Sequence, residues 1–314
     1  MKKIGIIGVG KIGSQLAFEI LKDDFVSEIQ IFNRNINKSK ALILSFEIAA
    51  LQYDKNILIK EFDFKNINSL DLVVVSIKDS YDPRIKLSQN EFPDWFPKNL
   101  RYCGFYDDFP IIKSITKKIS EYTGVVAVIT NPVELMTKYI ADNIKSKHVF
   151  GLGSSVDSSR MSFALSKYFD TKICSTKLLL YGEHGNNLFT ISNLLPDELK
   201  KSIYSDAISK ASTIGFELVK KIGYTLFDCI PTFLEDLKWL LGIIKNNEFR
   251  SFSYPYSNLV LSQPISFDKE KKEFNLFVNY TIDESNNISE INQNLISLYD
   301  KLNYESNAAV NKVS

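Results

Sequence analysis

Residues Ile4 to Arg34 read IGIIGVGKIGSQLAFEILKDDFVSEIQIFNR, and no other stretch narrows the possible folds as far. Ile4, Ile6 and Ile7 lead into Gly8-Val9-Gly10-Lys11-Ile12-Gly13. Leu16, Ala17, Ile20 and Leu21 then recur at helical spacing, and a second apolar run, Ile29 to Phe32, ends at Asn33. The order is strand, glycine turn, helix, strand. Gly8 permits the tight turn, Gly10 lets backbone approach a pyrophosphate, and Gly13 brings the helix against the strand. Lys11 and Ile12 open that helix, whose unpaired N–H groups and positive dipole end favour an anion. A GxGxxG alone is weak evidence. In this strand-to-helix context, with Asn33 twenty residues beyond Gly13 at the ribose-reading position, it points to a dinucleotide site.

The rest of the chain fits a doubly wound parallel sheet followed by a mixed α+β part. At 314 residues it suits two domains, expected at 1–152 (dinucleotide-binding, with a long mobile loop at 77–104) and 153–314 (catalytic). Asn37 to Leu51 is helical in pattern, Ile57 to Ile59 a short strand, and Leu70 to Ser76 (LDLVVVS) a continuous β-branched run suited to a central strand buried on both faces. Ile77 to Gly104, with three prolines and no clear period, reads as a lid or binding loop. Asp107 and Asp108 mark a helix start, Val125 to Ile129 is another buried strand, and a helix is expected from Val133 to Ile144 before a strand at Val149. Beyond Gly153 the spacing predicts helices at Val156–Tyr168, Asp197–Ile222, Pro231–Asn246 and Ser289–Leu302. Strands are expected around Lys172–Tyr181, Phe252–Leu261 and Glu273–Asp283, and the tail after Tyr304 reads as frayed.

Charge and cysteine usage exclude several classes. With 38 basic and 37 acidic residues interspersed, no basic block and no zinc spacing, nothing favours nucleic acid. Lys11 interrupts the apolar run that follows Met1-Lys2-Lys3, so that segment reads as a first strand rather than a signal peptide, and no membrane association is expected. Three scattered cysteines suit a reducing, cytoplasmic compartment. Only two histidines, His148 and His184, leave no His-rich metal site, and no metal is expected.

One of those histidines sits in Tyr181-Gly182-Glu183-His184-Gly185, between glycines at the end of an apolar strand. Upstream, Asp157 and Arg160 lie three apart on one helical face, Asn131 ends a strand, and Arg101 lies in the long loop. Hydride delivery to a carbonyl carbon requires a proton donor to the oxygen, and histidine changes charge near neutral pH. An aspartate on its other ring nitrogen fixes the tautomer and raises its pKa. One arginine can clamp a carboxylate bidentately while a second polarises the carbonyl.

Together these motifs resemble the lactate/malate dehydrogenase family over most of the chain. GEHG is that family's histidine motif, Val156-Asp157-Ser158-Ser159-Arg160 is similar to its LDxxR, Thr130-Asn131-Pro132-Val133 matches TNPV, and Gly223-Tyr224-Thr225 resembles its pocket wall. Arg101, with the helix after it, matches the mobile-loop arginine. The resemblance implies His184 as proton donor and acceptor, Asp157 as its partner, Arg160 as the carboxylate clamp and Arg101 as the carbonyl polariser. It implies Asn131 as a substrate contact that borders the cofactor with Thr130, and Thr225 in the side-chain pocket. It also suggests a homodimer or homotetramer.

Two departures shape the expected specificity. Members using NAD carry an aspartate where this chain has Asn33; losing that carboxylate removes repulsion against a 2′-phosphate, which Arg34 and Lys38 could bind, so NADP(H) is favoured with NAD(H) as the alternative. The loop is longer than is usual, and Trp95 or Phe96 falls where malate enzymes place an arginine. This favours a lactate-type 2-oxo acid with an apolar side chain, with simple packing of the insert as the other reading of Trp95. The rivals are a reductase of a larger keto or imino acid and a dinucleotide-binding protein without turnover.

Overall fold

A computed structural model describes residues 1–310 except 80, 89–91, 175–177, 192–200, 245–248, 256–258, 269–272 and 278. The first half is built from strands β1 (Lys2–Ile7), β2 (Val26–Phe32), β3 (Leu58–Glu61), β4 (Leu72–Val75), β5 (Val125–Val128) and β6 (Val149–Gly151). They pair in parallel in the order β3-β2-β1-β4-β5-β6. That order reverses between β1 and β4, and in such sheets ligands bind in the crevice at the carboxyl ends flanking the reversal. β4 shows why the sheet lies inside. Leu72 and Val74 enter one core with Ile4, Ile6, Leu16 and Ile20, while Val73 and Val75 enter the other with Ile7, Val126, Phe109 and Ile112. Successive strand residues face opposite sides, so a run apolar at every position needs a covering layer on both. Each fully buried aliphatic side chain stabilises the fold by about 1.5–3 kcal/mol.

The covering helices are α1 (Lys11–Leu21), α2 (Ile36–Gln52), α4 (Phe105–Lys118) and α5 (Val133–Asn143). The long loop is not wholly irregular, because it holds a short helix, α3 (Pro83–Ser88), whose start Asp82 caps by accepting the Arg84 N–H at 2.9 Å. α4 begins at Phe105, two residues before the sequence expectation. Asp108, read there as a helix-start residue, is buried and accepts from the Asp79 N–H (2.6 Å) and the Tyr81 hydroxyl (2.7 Å), pinning the loop's beginning. Burial pushes its carboxyl up to about 7.

In the second half, α6 (Ser154–Phe169), α7 (Lys201–Ile222) and α8 (Ile230–Leu240) pack with strands β7 (Leu180–Gly182), β8 (Leu188–Thr190), β9 (Arg250–Ser253), β10 (Ser262–Asp268) and β11 (Glu273–Leu276). These strands pair antiparallel and extend the same sheet beyond β6 in the order β9-β10-β7-β8, with β11 on β10. Four sequence expectations shift here. The strand expected at Phe252–Leu261 ends at Ser253, and Ser262 opens β10; residues 175–177 and 256–258, within two of the expected strands, lie outside the described residues. The strand pair around Lys172–Tyr181 is instead the β7–β8 hairpin; α8 stops at Leu240; and the strand expected to reach Asp283 ends at Leu276, because the last helix, α9 (Ile282–Val310), starts earlier and runs past Tyr304. Thr281 and Glu284 explain the early start. The Glu284 N–H reaches the Thr281 hydroxyl (3.3 Å) and the Thr281 N–H reaches the Glu284 carboxylate (2.8 Å), a reciprocal cap. The expected beginning of α7, at 197–200, lies outside the described residues. Among the described residues no helix is long and apolar enough to cross a membrane.

Candidate active site

The glycine turn lies at the carboxyl end of β1. A Cβ on Gly8 would collide with the Ser76 carbonyl on the neighbouring strand, and one on Gly13 with the Gly8 carbonyl, so both positions exclude a side chain for packing reasons. Gly10 differs: a Cβ there would meet nothing within 4 Å. Gly10 also caps α1 without any side-chain hydrogen bond, which leaves the N–H groups at Lys11 and Ile12 facing the same open cradle. These features fit a pyrophosphate. Tyr224, from the far half of the chain, lies against the cradle with Lys11 Nζ 4.1 Å from its ring centroid.

At the end of β2, the Asn33 side chain accepts the Asn35 N–H (2.9 Å), and Arg34 reaches across to Asp79 at 2.5 Å. Lys38 is exposed beside them. Thr130 is buried at the end of β5 and accepts the Ile77 N–H (2.7 Å), while Asn131 is exposed just beyond it.

His184 occupies the tip of the β7–β8 hairpin. The turn is closed by Glu183 N–H to the Asn187 carbonyl (3.1 Å), with positive φ at Gly182 and Gly185. The imidazole Nδ1 lies 2.6 Å from Asp157 Oδ2, which also accepts the Gly185 N–H at 2.8 Å. Asp157 is fully buried in the first turn of α6. That turn is anchored by Ser155 to Asp236 of α8 (2.5 Å), and Asp236 in turn binds Arg250 of β9 (2.7 Å). Burial works to raise Asp157, but His184, Arg101 and Arg160 outweigh it and hold the carboxyl below its ordinary range.

The two arginines enclose the same cluster. Arg101 is buried, donates from Nη1 to the His184 carbonyl, and stacks on Phe216 of α7 with 5.2 Å to the ring centroid. Arg160, one turn after Asp157, has Nη1 3.5 Å from Asp157 Oδ1 and binds Asp228 through Nε (3.0 Å) and Nη2 (2.6 Å). Three glycines make room: a Cβ on Gly153 would sit 2.6 Å from the His184 ring, one on Gly215 2.6 Å from Arg160, and one on Gly185 inside the Arg101 guanidinium.

Burial, then the positive charge of Arg101, push the imidazole down to about 4, with Asp157 pulling the other way. The sequence expectation that Asp157 raises this pKa therefore holds only for one contribution. The free protein carries a neutral His184 at neutral pH. An anion placed among the arginines would offset their charge and raise the imidazole pKa.

Several contacts were not foreseen. Glu134, in the first turn of α5, accepts the His184 N–H (2.8 Å) and the Ser262 hydroxyl (3.1 Å); burial, then Glu183, push it up to about 7. Glu183 binds the Tyr102 hydroxyl (2.7 Å) and Asn186 (2.8 Å), coupling the residue beside His184 to the residue beside Arg101. An acid in a first helical turn looks like an ordinary dipole partner; only its burial marks Glu134. Thr225 is half-buried and hydrogen-bonded to Cys229. Trp95 is 37% exposed. It lines a cavity of about 310 Å³ with Tyr102, Glu183, Asn186, Leu295 and Lys301, whose Nζ lies 5.7 Å from the indole. Phe96 is buried among Phe92, Tyr102 and Phe105.

Comparisons with known proteins agree with this architecture. A family model described as shikimate/quinate 5-dehydrogenase matches residues 1–92, the stretch carrying the glycine turn. An L-lactate dehydrogenase of Clostridium perfringens is 26% identical over 310 aligned residues, covering 91% of this chain and 92% of its own. A malate dehydrogenase of Aliarcobacter butzleri is 24% identical, covering 93% and 98%. Among solved structures, a lactate dehydrogenase from a Medee basin deep-sea metagenome library superposes with a TM-score of 0.77 at 17% identity, covering 96% and 99%. The malate dehydrogenase of Archaeoglobus fulgidus in complex with NADH gives 0.75 at 19%, covering 96% and 100%. Relatives of both kinds match nearly end to end, so over almost its whole length the chain is similar to lactate and malate dehydrogenases and shares their fold.

Proposed function

We propose that this protein transfers a hydride reversibly between a nicotinamide cofactor and a 2-hydroxy/2-oxo monocarboxylic acid, with His184 as the acid–base group. The observation that carries this reading is the buried His184–Asp157 pair at 2.6 Å with two guanidiniums beside it. A proton relay, a carbonyl polariser and a carboxylate clamp need that arrangement; packing alone does not. The parallel strands end at β6, which supports a cofactor half ending near residue 152 and a catalytic half from 153.

A bound reduced nicotinamide supplies the hydride. In reduction, Asp157 keeps the Nδ1 proton in place so that Nε2 faces the substrate oxygen, and protonated His184 delivers its proton there. Arg101 polarises the carbonyl, Arg160 orients the carboxylate, and Asn131 bonds the substrate oxygen beside the cofactor. In oxidation, neutral His184 takes the hydroxyl proton.

A monocarboxylate is favoured because segment 92–100 offers no guanidinium for a second carboxylate. The loop's other arginine, Arg84, is held by Asp82 at 2.5 Å. NADP(H) remains our preferred cofactor: β2 ends without a carboxylate, and Arg34 and Lys38 are exposed there, although Asp79 takes part of the Arg34 charge. We also propose a homo-oligomer, with the exposed Leu44, Ile48 and Leu51 face of α2 as its contact; sedimentation at two concentrations tests it.

The function is tested by following reduced-nicotinamide absorbance with NADPH and NADH against pyruvate, 2-oxoisocaproate, phenylpyruvate and oxaloacetate. Turnover of an apolar 2-oxo acid is expected. Preference for oxaloacetate would overturn the monocarboxylate reading, and cofactor binding without turnover of any of the four would overturn the activity.

A further inference from the structure

We propose that Asp228 is a specificity-determining residue of the substrate site: a carboxylate built into the Arg160 clamp, which an incoming substrate carboxylate must displace. This rests on the reading of Arg160 as the clamp. A guanidinium binds a carboxylate best through two parallel N–H groups. In this structure the edge formed by Nε and Nη2 is on Asp228, at 3.0 and 2.6 Å, while Nη1 faces Asp157 at 3.5 Å. Arg160 itself is only 6% exposed, and α7 comes close to its Nη1 at Gly215, so Asp228 holds the guanidinium's paired N–H edge.

The two acids that hold Arg160 are not equivalent. Asp157 is fully buried and committed to His184 and the Gly185 N–H, so it cannot leave. Asp228 is 25% exposed, directly follows the exposed Phe227, and lies just before α8 in the Gly223–Asp228 connection that also carries Tyr224 and Thr225. It is the acid that can swing out. Once displaced it stays near the mouth of the site as a negative charge. Every carboxylate substrate therefore binds against a competitor, and a substrate with a second carboxylate binds against that competitor and its repulsion.

The experiment compares wild type with Asp228→Asn and Asp228→Ala, each loaded with reduced cofactor. KM and kcat are measured for pyruvate and oxaloacetate, and equilibrium binding for oxamate, an unreactive isostere of pyruvate. Both variants are expected to lower KM for pyruvate and Kd for oxamate about tenfold, with the change falling on KM rather than kcat. A larger drop for oxaloacetate is expected to narrow the monocarboxylate preference. Unchanged or raised values would overturn the proposal, a rise meaning that Asp228 orients Arg160 for substrate. Arg160→Ala separates the two readings. If it weakens oxamate binding while Asp228→Asn does not strengthen it, the clamp stands and the Asp228 proposal falls; if it leaves oxamate binding unchanged, the clamp reading itself fails.

Discussion

The glycine turn and the His184 cluster both face the site, but they are built by opposite means. Gly8, Gly10 and Gly13 fall within six consecutive residues, and one strand and one helix are enough to place them. Arg101, Glu134, Asp157 with Arg160, His184 and Asp228 come from five separated segments, and none meets another without the whole sheet and its covering helices in place. The difference teaches where each site is vulnerable. The cofactor cradle depends on backbone and on the space a missing Cβ leaves. The His184 cluster depends on charges that burial makes strong and that glycines at 153, 185 and 215 allow to approach.

The largest expected effect tests the cluster at its centre. His184→Asn should lower kcat by about 10³-fold while leaving the cofactor dissociation constant within the error of a fluorescence titration; equal loss of both would erase the contrast between the regions. Two glycine replacements sharpen it. Gly185→Ala puts a Cβ into the Arg101 guanidinium at a residue with φ of 67°, and should cost about 10²-fold in kcat with cofactor affinity retained. Gly10→Ala does the reverse. Its φ of −77° suits any residue and its Cβ meets nothing within 4 Å, so Tm should hold while cofactor binding weakens about tenfold.

The pH dependence comes next. Because His184 is pushed down to about 4 in the free protein, its protonated fraction falls tenfold per pH unit above that value. Reductive kcat/KM should therefore decline with a slope of about −1 between about pH 6 and 8. Oxidative kcat/KM, which in the proposed role of His184 draws on the neutral imidazole, should owe no slope to His184 in that interval. Glu134, pushed up to about 7, titrates in the same range; Glu134→Gln should remove its inflection and leave the slope. A reductive profile flat across the interval would mean another group supplies the proton.

The smallest effect lies at the far end of the cofactor cradle. Arg34 is exposed and shared with Asp79, so Arg34→Ala should weaken NADPH binding only about fivefold and leave NADH unaffected. An equal effect on both cofactors would remove Arg34 from the 2′-phosphate site.

Sequence alone determined the features whose physics is local. The glycine spacing, the apolar run of β4, and the alternation of strands and helices up to Val149 dictate a parallel sheet with a dinucleotide crevice, because each follows from backbone sterics and from which faces must leave water. Family motifs carried His184, Asp157, Arg160 and Arg101 as candidates. Tertiary structure alone decided what those residues touch: Asp228 on Arg160, Glu134 under the histidine loop, Trp95 in a cavity between the hairpin and α9, and an imidazole pKa lowered despite its aspartate. Nor did local pattern place the start of α9 or the helix inside the long loop. The physical reason is the same throughout. Desolvation and charge–charge energies depend on distances between segments far apart in the chain, and those distances exist only once the sheet has closed and its helices have packed.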